Sequence, residues 1–309
     1  MSEKHYWGWP VAGYLFLGGL GGGMTIVSTA ADLLWGKGGL FAFGSLAASI
    51  LTGIGCGLLI FELGRPFRFW RVFSTQKAVM TVGAWMLGIL IVTDLAYFSF
   101  WVSFLPWRNL VFLRQVLSLI NLLLGIGVVT YTGILLGSMK ARPFWNSPVL
   151  PVLFAVSGLS TGIAAQSLLA GFWPWQGDLG AISQVHSFLH NLDAGLLVFE
   201  SLILMVYVGM MRFSAGEEAG RTAARWLVGS YARSFWGGLV GLGLLLPLVL
   251  YLVGGPVIVF APIGVITGGV FLRFLVVYSN DRKLLPGEEK YRARLPLGTE
   301  DFLKAWKGK

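Results

Sequence analysis

The sequence predicts an all-α membrane protein of eight transmembrane helices, arranged as two four-helix bundles. Three observations carry this. The 309 residues are 56% hydrophobic and only 12% charged, with a mean hydropathy of +0.74, too apolar for a large soluble domain. The apolar residues gather into eight runs of about 20–25 residues, the helical length that crosses a bilayer core. No alternating ten-residue pattern appears, so helices rather than barrel strands must satisfy the backbone inside lipid. Residues 1–278 form the membrane domain, and 279–309 read as a soluble, docking-type tail of mixed charge.

The first span, Pro10–Leu34, follows Trp7 and Trp9, interfacial aromatics at its start. Its LGGLGGG run follows no strand and precedes no Gly-Lys-Ser/Thr, so it reads as a packing surface rather than a phosphate loop. The run is long and lacks a basic leader, so no cleavable signal peptide is expected. Span 2, Leu40–Phe61, ends in Glu62-Leu63-Gly64-Arg65-Pro66, where Pro66 stops the helix and Glu62 and Arg65 can pair three residues apart. On local grounds that pair is equally a helix terminator and a functional site. Span 3, Val79–Phe104, contains Asp94, and span 4, Phe112–Ser138, contains Asn121 and Tyr131. The compact turn KARPFWNSP leads to span 5, Val149–Ala170, which carries Gln166. Span 6 is Ser187–Met211, followed by an amphipathic segment suited to the membrane surface. Spans 7 and 8 are Phe235–Val253 and Val257–Tyr278. Span 8 holds Arg273, which at that depth needs a carboxylate such as Glu200 or Glu62, or a route to the headgroups.

An even span count puts both termini on one side. The loops and tails on that side hold 19 Lys and Arg against 3 on the other, which places the termini in the cytoplasm of a bacterial inner membrane. The net charge of +9 therefore reads as topology, not nucleic-acid binding. Cys56, the only cysteine, lies in an apolar run and cannot hold an iron–sulfur cluster by itself. His186 and His190 sit one turn apart on one helix, and His5 lies in the tail, so a bis-histidine haem is not expected.

Span 6 concentrates the ionisable groups. His186, His190, Asp193 and Glu200 follow at steps of four, three and seven, which keeps them on one stripe. The stripe runs about 21 Å along the helix. Ionisable groups inside a membrane are costly and mark function, so the stripe reads as a route for protons. The plainer alternative keeps the two histidines at the interface and leaves only Glu200 within the membrane.

Five pieces in order resemble the NrfD/PsrC family of polysulfide reductase-type membrane subunits: YLFLGGLGGG, ELGRPFRFW with MTVGAW, YTGILLGS with RPFWNSPVLPVLFAVSGLSTG, HNLDAGLLVFE, and FLRFLVV. The resemblance implies a subunit that binds menaquinone or ubiquinone. It implies a four-cluster iron–sulfur, ferredoxin-like partner that serves a molybdopterin-type catalytic subunit. It assigns the quinone site to Tyr14, Glu62, Tyr131 and Arg273, with Arg65 beside Glu62. Glu62 stands where the family commonly has Asp. The acidic pair of span 6 falls on Asp193 and Glu200. Family members with exported partners turn the terminal face to the periplasm, against the charge count. A proton-coupled carrier without redox chemistry and a passive anchor are the two other classes that the residues allow.

Overall fold

The computed structural model describes residues 7–62, 79–170, 179–279 and 281. Arg65, Pro66, His5 and the tail from 282 lie outside the described residues, as do the aromatics of the loop at 171–178. The described residues form nine α-helices and no strand. They are α1 (Trp9–Trp35), α2 (Ala42–Glu62), α3 (Val79–Ser99), α4 (Val111–Gly137), α5 (Val149–Leu169), α6 (Leu179–Phe213), α7 (Glu217–Leu227), α8 (Leu246–Val253) and α9 (Ala261–Tyr278). Eight spans are long and apolar enough to cross a membrane. The protein is a multi-pass membrane protein.

The spans close into two rings of four. In the first, α1 and α3 each pack on α2 and α4. In the second, α5 packs on α6 and α9, and span 7 packs on the same two helices. The rings join through α1 and α4 against α5, with α1 also touching α9. Helix α1 is therefore the hub, and its glycines make that position possible. A Cβ on Gly23 would fall 2.1 Å from the Gly158 carbonyl oxygen of α5. Only small residues let two backbones approach that closely.

Four elements differ from the sequence expectation, one of them span 8, which winds as a 3-10 turn over Gly255–Phe260 before α9 begins at Ala261 instead of Val257. Helix α3 stops at Ser99 instead of Phe104, and the backbone goes on in turns that bring the Trp107 indole to Ser99 at 3.0 Å. Helix α6 begins at Leu179, eight residues earlier than the apolar span from Ser187, so His186 stands about two turns inside it rather than at its start. Span 7 is π-helical over Ser234–Leu245 before α8 begins. Pro247 supplies the physical reason. It has no N–H to give, and its ring opposes the carbonyl four residues back, which favours a wider turn there. The amphipathic segment after span 6 is α7, a surface helix whose Trp226 is fully buried and donates to Ser279.

The turn between α4 and α5 packs inward at the terminal face against α6, α9 and Trp7. Its Phe144 and Trp145 are buried. The Phe144 carbonyl accepts from Tyr207 at 2.5 Å, the Trp145 indole donates to Val276 at 2.7 Å, and Trp7 stacks on Trp145.

Candidate functional site

The first cluster lies inside the first bundle, toward the terminal face. Tyr14 of α1 and Tyr131 of α4 are both buried. Their phenols face each other closely enough to interact as a loose hydrogen bond, with the Cys56 thiol of α2 beside them. Neither hydroxyl has a hydrogen-bond partner of ordinary geometry among the described residues. Tyr131 reaches this position because α3 offers it Gly83. A Cβ there would lie 1.7 Å from the phenol ring carbon that bears the hydroxyl, so the glycine of the MTVGAW motif is the bed for the ring. A pair of buried, loosely matched phenols is a costly arrangement, and it is suited to donating to the oxygens of a small polar ring.

Glu62 stands at the C-terminal end of α2, on the terminal face. It is exposed, and its carboxylate accepts the backbone N–H of Gly8 at 3.2 Å. Gly8 is the N-cap of α1, so the carboxylate sits at the positive end of that helix dipole.

The second cluster lies in the second bundle. Arg273 of α9 is fully buried and donates to Ser157 at 2.5 Å and to the Phe154 carbonyl at 3.2 Å. Ser157 is also within hydrogen-bonding reach of Glu200, and Arg273 and Glu200 interact electrostatically. A serine of α5 thus bridges the deep arginine to the deep carboxylate of α6. One face of α5 serves both acids, because Ser160, three residues on, donates to Asp193 at 2.6 Å. Asp193 also accepts from Tyr251 of α8 at 2.8 Å. Tyr251 in turn stacks on His190 at 5.3 Å, and His190 meets His186 edge to face at 5.9 Å. Asp193 and Glu200 are buried, while both histidines are half-buried.

The structure brings His186, His190, Asp193 and Glu200 onto one inward stripe and adds Arg273 to its inner end. It brings Tyr14 and Tyr131 together. It sets Arg273 on the far side of α1 from the tyrosines, against Gly19, Ser157 and Glu200. Sequence reasoning did not single out Tyr251, Ser157 or Ser160. The serines stand three apart in SGLSTG, a spacing that marks one helical face. Tyr251 gave no signal, because the π-helical turn before it decides which way it points. A separate groove of about 320 Å³ opens at the face opposite the termini, lined mainly by Val27, Trp35, Phe41, Gln184 and Phe188.

The family model described as "Polysulphide reductase, NrfD" matches residues 1–281. The sequence is 33% identical to the C component of polysulfide reductase from Wolinella succinogenes, over 89% of this protein and 94% of that one. It is 28% identical to protein NrfD of Escherichia coli, over 90% and 96%. It is 23% identical to the C component of selenate reductase from Mesobacillus selenatarsenatis, over 90% and 74%. With the fold and these matches together, the chain belongs to the NrfD polysulphide reductase family of membrane proteins.

Proposed function

We propose that the chain is the quinone- or quinol-binding membrane subunit of a respiratory oxidoreductase complex in a bacterial inner membrane, with both termini cytoplasmic. Electrons pass between a menaquinone or ubiquinone here and an iron–sulfur, ferredoxin-like partner that serves a molybdopterin-type catalytic subunit. Two of the relatives are named as one lettered component of a reductase, which supports membership of a multi-subunit reductase. The observation that carries the quinone reading is the pair of buried phenols, Tyr14 and Tyr131, facing each other on the Gly83 bed with no well-formed hydrogen bond among the described residues.

The chemistry asked of this protein is modest. A quinol gives up two electrons and two protons, and a quinone takes up the same. Tyr14 and Tyr131 hold the ring by its oxygens, donating to a carbonyl and accepting from a hydroxyl. Glu62, at the rim and exposed, exchanges protons with water on the terminal face, and Arg65 follows it in the same motif. The second cluster then serves as a proton line toward the other face. Its order is Arg273 with Glu200, Asp193 with Tyr251, His190 and His186. Asp193 is hydrogen-bonded to Ser160 and Tyr251, and beyond Tyr251 the two histidines follow as ring neighbours, a spacing at which water between the rings would carry the proton.

Tyr131→Phe keeps the ring and removes only the hydroxyl. In the assembled complex it should lower quinone-linked turnover by about 10²-fold, the usual scale for a lost proton-handling group. Catalysis with an artificial electron donor or acceptor at the partner subunits should stay at the parent level. Full quinone-linked turnover in Tyr131→Phe and Glu62→Ala would remove this site assignment. An intact complex that turns over no quinone would favour the anchor reading.

A further inference from the structure

The first bundle holds buried polar groups that the proposed function does not use, and they line up. On α1, Thr25, Ser28 and Asp32 follow at steps of three and four and share one stripe. Thr25 donates to Asp94 of α3 at 2.9 Å, and Ser49 of α2 approaches the same oxygen at 3.5 Å. One turn further out, Ser45 donates to Ser28 at 2.9 Å. Further still, Ser118 of α4 donates to Asp32 at 2.8 Å, and Arg114 pairs with Asp32 at 3.1 Å. From Thr25 to Asp32 the line covers about 10 Å of helix. It ends at the face opposite the termini, where the Arg114 side chain is 14% exposed.

A ladder of hydroxyls could simply hold helices together. Two features go beyond that. The second Asp94 oxygen, Oδ1, is buried without a hydrogen-bond partner among the described residues, and so are both ends of the Asn121 amide. Asn121 lies three residues from Ser118 and four from Gly125, which packs on Gly22 of α1. It therefore faces α1 along the same line. Each such atom left unmatched costs about 1–3 kcal/mol, and buried water that bridges several polar groups removes that cost.

We propose that spans 1–4 enclose a hydrated proton route of their own, running from Asp94 at mid-depth to the Asp32–Arg114 pair at the face opposite the termini. It is separate from the α6 stripe. It rests on the proposed function only for the source of its protons, which quinol oxidation at the tyrosine pair would release. Each step moves one proton between neighbouring oxygens, through Asp94, water at Asn121 and the serine hydroxyls, and then Asp32. No electron moves with it.

Two measurements on the intact complex test this. A cryo-electron density map that resolves water should show ordered water on Asp94 Oδ1 and on the Asn121 amide, and a dry line there overturns the route. In sealed vesicles, Asp94→Asn should lower the protons appearing on the face opposite the termini per electron transferred by about half. Uncoupled turnover should hold near the parent rate, and Asp94→Glu should restore the ratio. An Asp94→Asn complex with the parent ratio overturns the route even if water is present. A parent complex that neither oxidises quinol nor reduces quinone contradicts the proposed function, and the map alone then decides the route.

Discussion

Arg273 shows how a single side chain is held where lipid would exclude it. An unpaired guanidinium in a membrane interior costs several kcal/mol. Here Ser157, two backbone carbonyls and the nearby Glu200 share that burden. Removing one partner of such a buried pair leaves the other charge uncompensated. Arg273→Met should therefore destabilise the protein by about 3–5 kcal/mol. Arg273→Met combined with Glu200→Gln should cost clearly less than the sum of the single changes. Thermal unfolding of the four proteins of that cycle checks this, and additive losses would show that the two groups do not act together. The sequence placed both residues at one depth but offered several partners for the arginine. The choice of Glu200 over Glu62 came only from the packing of α5 between α6 and α9, which no local pattern encodes. The same holds for Asp94, whose partners Thr25 and Ser49 come from two other spans.

Individual helices were legible wherever composition alone decides them. Eight apolar runs of spanning length admit little else, and the observed ends of α1, α2, α4 and α5 fall within two residues of the sequence reading. The exceptions have local causes that hydropathy does not register. Span 7 winds as a π-helix ahead of Pro247, and α6 extends eight residues beyond its apolar part because His186 and Gln184 are compatible with a helix outside the hydrocarbon. Helix α1 is the element with least room for change. Gly23→Val would place a side chain against the Gly158 carbonyl and Gly162. The helices would have to separate, at a cost of at least the 1–3 kcal/mol or so of an overpacked core. The variant should yield little monodisperse protein in detergent. A well-behaved Gly23→Val at parent yield would mean that α1 and α5 are not tightly apposed.

Across the whole molecule, the two rings of four divide most of the described buried polar groups into two sets, with Gln166 of α5 reaching across to the Met24 carbonyl of α1. Tyr14, Tyr131 and the Asp94 line belong to the first ring, and Arg273, Glu200, Asp193 and the histidines to the second. Helix α1, lined with glycine, stands between them. That division explains why the sequence could name most of these residues and still group Arg273 with the tyrosines. Depth along a span is readable from the sequence, but the face around a hub helix is not. On the proposed reading, a ring-binding site in one bundle and a proton line in the other would couple quinone chemistry to proton movement. The most direct test is a structure of the intact complex with its quinone bound. The ring should lie within hydrogen-bonding distance of the Tyr14 and Tyr131 hydroxyls, beside Gly83. A ring seated instead in the groove by Trp35, Phe41 and Phe188, with the two phenols untouched, would contradict the account.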